Sequence, residues 1–386
     1  MLNHDVMEWI ADQQSNMVSL LDDLVSIDSN THDKIGVDRV GARIRAFLEA
    51  EGIACETTPV AERGDALHAR LNGGSGNAPV LLMGHMDTVF PTGEVARRPF
   101  RVEGNLGYGP GCSDMKAGLV MNAFLLVGFL KTGGPPVPLH ALFTGDEEIG
   151  SPTSRPIIET AAREARAVFN SEPGRSNGNI VSGRRGGAFY RVRVTGRSAH
   201  SGLNPADGRS AIHELARKIG AWQDLGDTQD DISINIGIIA GGQSVNTVAP
   251  DAMAEIDLRF TAPDDEAKFE AAITAIAKNC LQDGVTGEVE TLGRFRPMAQ
   301  NDGARALTQL YLDAAHDLGQ TTQAEFTRSC ADSGVASATG TPTVCATGPI
   351  GAKAHSQDEY VKLDTFVPRA QAVALSILKL ASEGSA

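Results

Sequence analysis

Two short, unbroken apolar runs constrain this chain more than any other feature. Pro79-Val80-Leu81-Leu82-Met83 and Pro138-Leu139-His140-Ala141-Leu142-Phe143-Thr144 read as strands covered on both faces, the pattern of a parallel sheet buried between helices. Between them, residues 115–130 have a helical pattern. That alternation predicts an α/β layer with a mainly parallel sheet, in which ligands gather at the carboxyl ends of the strands.

The flanking regions fill out the layer. Ile10, Met17, Leu20, Leu21, Leu24 and Val25, then Val40, Ile44, Phe47 and Leu48, recur at helical spacing and predict two helices in the first ~50 residues. From residue 186 to 295 the rhythm changes to strand (188–194), helix (210–223), strand (232–239), strand (252–260), helix (265–280) and strand (288–295). This β-α-β-β-α-β order is the split ferredoxin-like pattern, long enough for a small domain inserted into a larger one. Residues 1–185 and 296–386 are then the main domain and 186–295 the insertion. A helix over 304–318, a strand over 342–346 and an amphipathic helix over 367–380 return the chain to α/β patterning.

The 386 residues carry 48 acidic against 34 basic side chains, a formal charge of -14 that repels nucleic acid. Five dispersed cysteines, Cys55, Cys112, Cys280, Cys330 and Cys345, form no Cys-x-x-Cys pair, which fits a reducing, cytoplasmic setting. Charged residues interrupt the amino-terminal stretch where a secretory signal would be apolar, and nothing in the pattern is expected to span a membrane.

Chemistry-bearing residues sit at the expected strand ends. His85 and Asp87 follow the first run in Gly84-His85-Met86-Asp87, spaced so that Asp87 can orient the imidazole. Asp114 follows the glycine-rich turn Tyr108-Gly109-Pro110-Gly111-Cys112-Ser113, where a helix N-cap is its ordinary use. Glu147 and Glu148 end the second run, and adjacent side chains point in different directions, so one can bind metal while the other acts as a base. Their bland alternative is an acidic surface turn. Glu172 follows Ala167-Val168-Phe169, and His355 follows the strand over 342–346. Nitrogen ligands, carboxylates and a base are what zinc hydrolysis requires.

The segments around His85, Asp114, Glu147-Glu148, Glu172 and His355 resemble the five signature regions of the M20 metallopeptidase family, most closely its glutamate carboxypeptidase branch, over nearly the whole chain. The resemblance implies a zinc-exopeptidase-type catalytic domain with an inserted ferredoxin-like lid and dimerisation domain. It implies two Zn²⁺ per subunit, with Co²⁺ or Mn²⁺ as substitutes. Asp114 would bridge them, with His85 and Glu172 on one ion and Glu148 and His355 on the other. Glu147 corresponds to the general base and Asp87 to the support of His85. His200, in Ser198-Ala199-His200-Ser201-Gly202, corresponds to an oxyanion donor supplied by the partner subunit of a homodimer. Asn246 and Arg259 match positions that touch the substrate and grip its carboxylate, and Arg296 resembles a second such arginine; the ordinary alternative for both arginines is a surface ion pair.

Where the branch has a glycine-rich turn ending in Asp, this chain has Arg328-Ser329-Cys330-Ala331-Asp332-Ser333-Gly334, which bears on glutamate specificity. The expected activity is cleavage of an N-acyl amino acid or short peptide beside a free carboxylate. A deacetylase or desuccinylase acting on small acyl groups is the alternative, and a silent binding protein for amino-acid derivatives is a third reading.

Overall fold

The computed structural model describes residues 5–74, 78–226 and 232–383. The chain divides into two compact units, one of residues 1–184, 298–327 and 331–386, the other of residues 185–297 and 328–330.

The first unit is built on an eight-stranded sheet in the order Ala54–Thr58, Ala66–Leu71, Leu139–Thr144, Val80–His85, Ala167–Asn170, Thr343–Cys345, Ile180–Arg184, Ala324–Thr327. Its centre is parallel, from Leu139–Thr144 through Val80–His85 and Ala167–Asn170 to Thr343–Cys345. Alternation sorts the side chains: Val80, Leu82, Leu139, Ala141, Ala167 and Phe169 pack into one core, while Leu81, Met83, Leu142 and Val168 pack into another on the opposite face. The larger core includes the helix Ala117–Lys131, which is buried on every side. The segment Cys112–Lys131 is long and apolar enough to cross a membrane, but 89% of its window is buried inside the protein. It is a core helix by packing.

Four parallel strands share one polarity, so their carboxyl ends share one edge, and His85, Glu147, Glu148 and Glu172 lie on or just beyond it. A second sheet of short strands, Gly351–Ala352, Tyr360–Lys362, Leu106–Tyr108 and Arg101–Glu103, ties the chain before Asp114 to the chain after His355.

The sequence reading differs in detail. The amino-terminal region forms three helices, Asp5–Ala11, Gln14–Val25 and Lys34–Ala50, and the first of these is separated from the second by a turn at Asp12-Gln13. The strands Ala54–Thr58 and Ala66–Leu71 carry too many polar residues to register as apolar runs. Met1 to His4 lie outside the described residues.

The second unit contains strand Gly186–Thr195, helix Ala211–Gly226, strands Ser233–Gly241 and Asp251–Phe260, helix Pro263–Lys278 and strand Thr286–Phe295. Its antiparallel sheet runs in the order Ser233–Gly241, Asp251–Phe260, Gly186–Thr195, Thr286–Phe295, the ferredoxin-like arrangement. Ala252, Ala254, Ile256, Leu258 and Phe260 face a core that also holds Trp222, Phe269 and Ile273 from the helices, which leaves Glu255, Asp257 and Arg259 on the other face.

Gly118 marks where the core helix meets the loop carrying Glu172. A Cβ there would lie 2.0 Å from the Ser171 carbonyl oxygen. Gly118→Ala is therefore expected to cost about 1 to 3 kcal/mol through overpacking, read as a lower urea midpoint at unchanged slope. An unchanged midpoint contradicts this close packing.

Candidate active site

His85 closes its strand with the imidazole 2% exposed. Its Nδ1 lies 3.0 Å from the Asp87 carbonyl oxygen and 3.3 Å from the Asp87 carboxylate. An Nδ1–H donated there leaves the Nε2 lone pair facing outward, the tautomer a metal ligand needs. Asp87 is fully buried; its carboxylate accepts from the Thr31 hydroxyl at 2.6 Å and from the backbone N–H groups of Glu147 and Glu148 at 3.2 Å. One carboxylate thus fixes both the imidazole and the turn bearing the paired glutamates.

Beneath this edge, the buried Asn122 donates to the Met83 carbonyl at 3.1 Å, and its own carbonyl accepts from the Ser171 hydroxyl at 2.6 Å. It links the two strand ends that carry His85 and Glu172. On the far side of Asp114, His355 sits in a loop where it and Lys353 adopt left-handed backbone. That conformation costs about 1 to 2 kcal/mol for each such residue.

These residues converge although they are scattered in sequence. His85 Nε2 is 3.2 Å from Asp114 Oδ1, and His355 Nε2 is 3.4 Å from Asp114 Oδ2 and 3.1 Å from Glu148 Oε2. Glu147 and Glu172 each place an oxygen 3.8 Å from His85 Nε2. Ligand atoms of His85, Asp114 and Glu148 lie within 4.8 Å of one another, as do those of His85, Glu147 and Glu172.

The electrostatics favour positive charge at this cluster. Burial, with repulsion from Glu172, Asp332 and Glu148, pushes the Glu147 carboxyl well above the usual range despite the attraction of His85. Burial and the Asp114 charge push Glu172 up to about 7. The Asp114 and Glu148 carboxylates push His355 up to about 10. Burial opposes a charged His85, yet its hydrogen bonds to Asp114 and Asp87 carry its pKa well above the ordinary value. The protein alone therefore neutralises its carboxylates with protonated imidazoles, a role that divalent ions fill better. Glu148 Oε1 is buried with no hydrogen-bond partner among the described residues, as befits an oxygen reserved for a metal.

Two further buried side chains adjoin the cluster. Asp332 accepts from the Ser151 hydroxyl, steadying the segment after Glu148, and burial pushes its carboxyl up to about 7. The Arg184 guanidinium is buried, donates to Cys345 Sγ at 3.3 Å, and attracts both Glu172 and Glu147. Arg184 belongs to a segment whose local sequence gives no signal of chemistry, whereas Asp332 lies in the Arg328 to Gly334 segment, marked in the sequence only by its departure from the family's turn.

The other expected residues lie in the second unit. His200 and Asn246 are on loops paired through the Ser201 N–H to Asn246 carbonyl bond at 3.0 Å and a bridge between His200 and Thr247. Arg259 donates from Nη2 to Asp257 Oδ2 at 3.2 Å, with its Nε 2.8 Å from Oδ1 as an ion pair, and from Nη1 to Cys330 Sγ at 2.8 Å; its guanidinium carbon lies 5.1 Å from the centroid of the Phe189 ring. Arg296 donates to Glu266 at 2.8 Å, an ion pair shared with Arg294.

The Peptidase family M20/M25/M40 model matches residues 81–379, a span that holds every residue of this cluster apart from Thr31. This chain belongs to that family. It is a hydrolase of the metallopeptidase type, and the members of its family are metal-dependent. It is 30% identical to carboxypeptidase G2 of a Pseudomonas species, over 96% of this chain and 90% of that one. It is 26% identical to acetylornithine deacetylase of Edwardsiella ictaluri, over 86% of this chain and 88% of that one. Among solved structures, an M20 family metallo-carboxypeptidase from Sulfolobus solfataricus matches with a TM-score of 0.76 at 18% identity, covering 95% of this chain and 99% of that one. The aminopeptidase PepT from Bacillus cereus matches at 0.75 and 22% identity, with the same coverage. At these identities the structural matches describe the fold.

Because both imidazoles bind protons tightly in the metal-free protein, a cation must displace them. Zinc affinity is therefore expected to rise from pH 6 to pH 8, by about tenfold per pH unit for each proton displaced. Calorimetry in buffers of different ionisation enthalpy measures the proton release; pH-independent binding without release contradicts the arrangement.

Proposed function

We propose that this chain is a dinuclear zinc amidohydrolase of the carboxypeptidase kind, cleaving the amide bond of an N-acyl amino acid or short peptide beside a free α-carboxylate. The observation that carries the reading is the Asp114 carboxylate, which turns one oxygen toward each imidazole. In this reading Asp114 would be the shared ligand, His85 and Glu172 would hold one ion, and Glu148 and His355 would hold the other. The mixed imidazole and carboxylate set suits Zn²⁺, with Co²⁺ or Mn²⁺ as substitutes.

When bound, the ions supply a water acidified toward neutrality and an electrophile for the scissile carbonyl. Glu147 takes the proton of the attacking water and hands it to the departing nitrogen. Its enclosed, acidic surroundings raise its proton affinity toward that task. Asp87 keeps both Glu147 and His85 in register.

In the second unit, His200 Nδ1 accepts backbone N–H groups from Gly202 at 3.1 Å and Leu203 at 3.2 Å. Its proton then sits on Nε2, which makes the exposed imidazole a donor suited to a developing oxyanion. Arg259, held by Asp257 and over the Phe189 ring, is set up to receive a carboxylate on its remaining N–H groups. Asn246, beside His200, is a further substrate contact. The ion pair of Arg296 with Glu266 favours a structural role for that residue.

A homodimer completes the reading, with His200 of the partner subunit serving each site. Strand Ser233–Gly241 is a sheet edge that exposes Ile238 and Ile239, and Val245 follows it fully exposed. An exposed apolar edge of this kind suits isologous pairing with a second copy. Cleavage of small acyl groups is the second reading, supported by the similarity to acetylornithine deacetylase.

Glu147→Gln should lower kcat by about 10²- to 10⁴-fold while two zinc ions per chain remain; retained turnover would remove Glu147 from the chemistry. Mixing and re-equilibrating Glu147→Gln with His200→Ala should restore about a quarter of wild-type activity through half-active heterodimers. No recovery in mixed dimers contradicts a histidine supplied in trans.

A further inference from the structure

One fully buried side chain underlies the turn that presents Asp114. The Glu359 carboxylate accepts the backbone N–H of Gly111 on Oε2 at 3.1 Å, and those of Ser113 and Asp114 on Oε1, both at 2.9 Å. Gly111 is left-handed, with φ of 70°, and the turn it makes brings the N–H groups of Gly111, Ser113 and Asp114 to one side, much as in an anion-binding nest, while that of Cys112 goes to the Gly109 carbonyl. Here the anion belongs to the protein.

Glu359 is also joined to the other side of the candidate metal pair. It lies four residues after His355 and immediately before strand Tyr360–Lys362. That strand pairs with Leu106–Tyr108, which leads into the Asp114 turn, with Tyr360 opposite Tyr108. A single carboxylate therefore connects the loop of His355 to the backbone of Asp114. Burying a carboxylate is expensive. The nearby Lys116, itself buried, offsets this by attraction while its Nζ donates to the Ile27 carbonyl at 2.8 Å. Three N–H acceptances at two oxygens are something no amide side chain of similar size supplies, since its only acceptor is one carbonyl oxygen.

We infer that Glu359 is a positioning residue that fixes the Asp114 turn so that its carboxylate presents one oxygen to His85 and the other to His355, coupling the two cation subsites. This rests on the dinuclear reading above. Because Glu359 acts through the shared ligand, its loss weakens both ions together, whereas loss of His355 weakens one.

The test is Glu359→Gln, whose amide nitrogen cannot accept the Gly111 N–H. In chelator-competition titrations with zinc, both ions should bind about 10- to 100-fold more weakly. Turnover number should fall while KM stays within about twofold, and the far-UV circular dichroism of the metal-free variant should match wild type. His355→Ala, titrated in parallel, should weaken one ion only. A Glu359→Gln protein that binds both ions as tightly as wild type, or that weakens one ion alone, overturns the inference. If the glutamine variant does not fold, Glu359→Asp is judged by the same outcomes. Wild-type protein that takes up fewer than two zinc ions contradicts the dinuclear reading itself. In that event a crystal structure of the variant decides on Glu359: an Asp114 carboxylate displaced from the two imidazoles supports its positioning role, and an unmoved one overturns it.

Discussion

Four acidic side chains crowded around two imidazoles at the edge of a parallel sheet are the constraint on which the rest of this molecule depends. Asp114, Glu147, Glu148 and Glu172 are brought together where water is scarce, and Asp87 and Asp332 stand close behind. Such an assembly is repulsive unless positive charge enters it. In the metal-free protein that charge comes from protons on His85 and His355. In the working enzyme it comes from metal, since the chain belongs to a metal-dependent family.

The fold serves this arrangement through polarity and through buried polar ties. Parallel strands bring the segments bearing His85, Glu147, Glu148 and Glu172 to one edge, but alignment of strands alone does not aim side chains. Aiming falls to Asp87, which grips the imidazole and the glutamate turn, and to Asn122, which locks two strand ends from beneath. These ties have no solvent to compete with them, so each hydrogen bond holds its partner strongly.

Much of this was legible in the sequence because the metal-site candidates stand at places of contrast. His85 interrupts the end of an apolar run, Glu147 and Glu148 follow another, and Glu172 follows a third, so a buried strand and its chemical terminus read as one unit. Asp332, Arg184 and Glu359 gave no such contrast. Their partners Ser151, Cys345 and the Gly111 to Asp114 turn lie more than a hundred residues away, and no local periodicity encodes a contact at that distance. The strands of two or three residues around Tyr108 and Tyr360 are too short to show a period. The partner of Arg296 also became clear only when strand Thr286–Phe295 and helix Pro263–Lys278 were brought side by side.

The central claim is that two divalent ions share Asp114. Anomalous diffraction from crystals grown with zinc measures this directly. The account predicts two peaks about 3.5 to 4 Å apart, one on each side of the Asp114 carboxylate. A single peak, or zinc found elsewhere with the Asp114 oxygens still facing bare imidazoles, would contradict it.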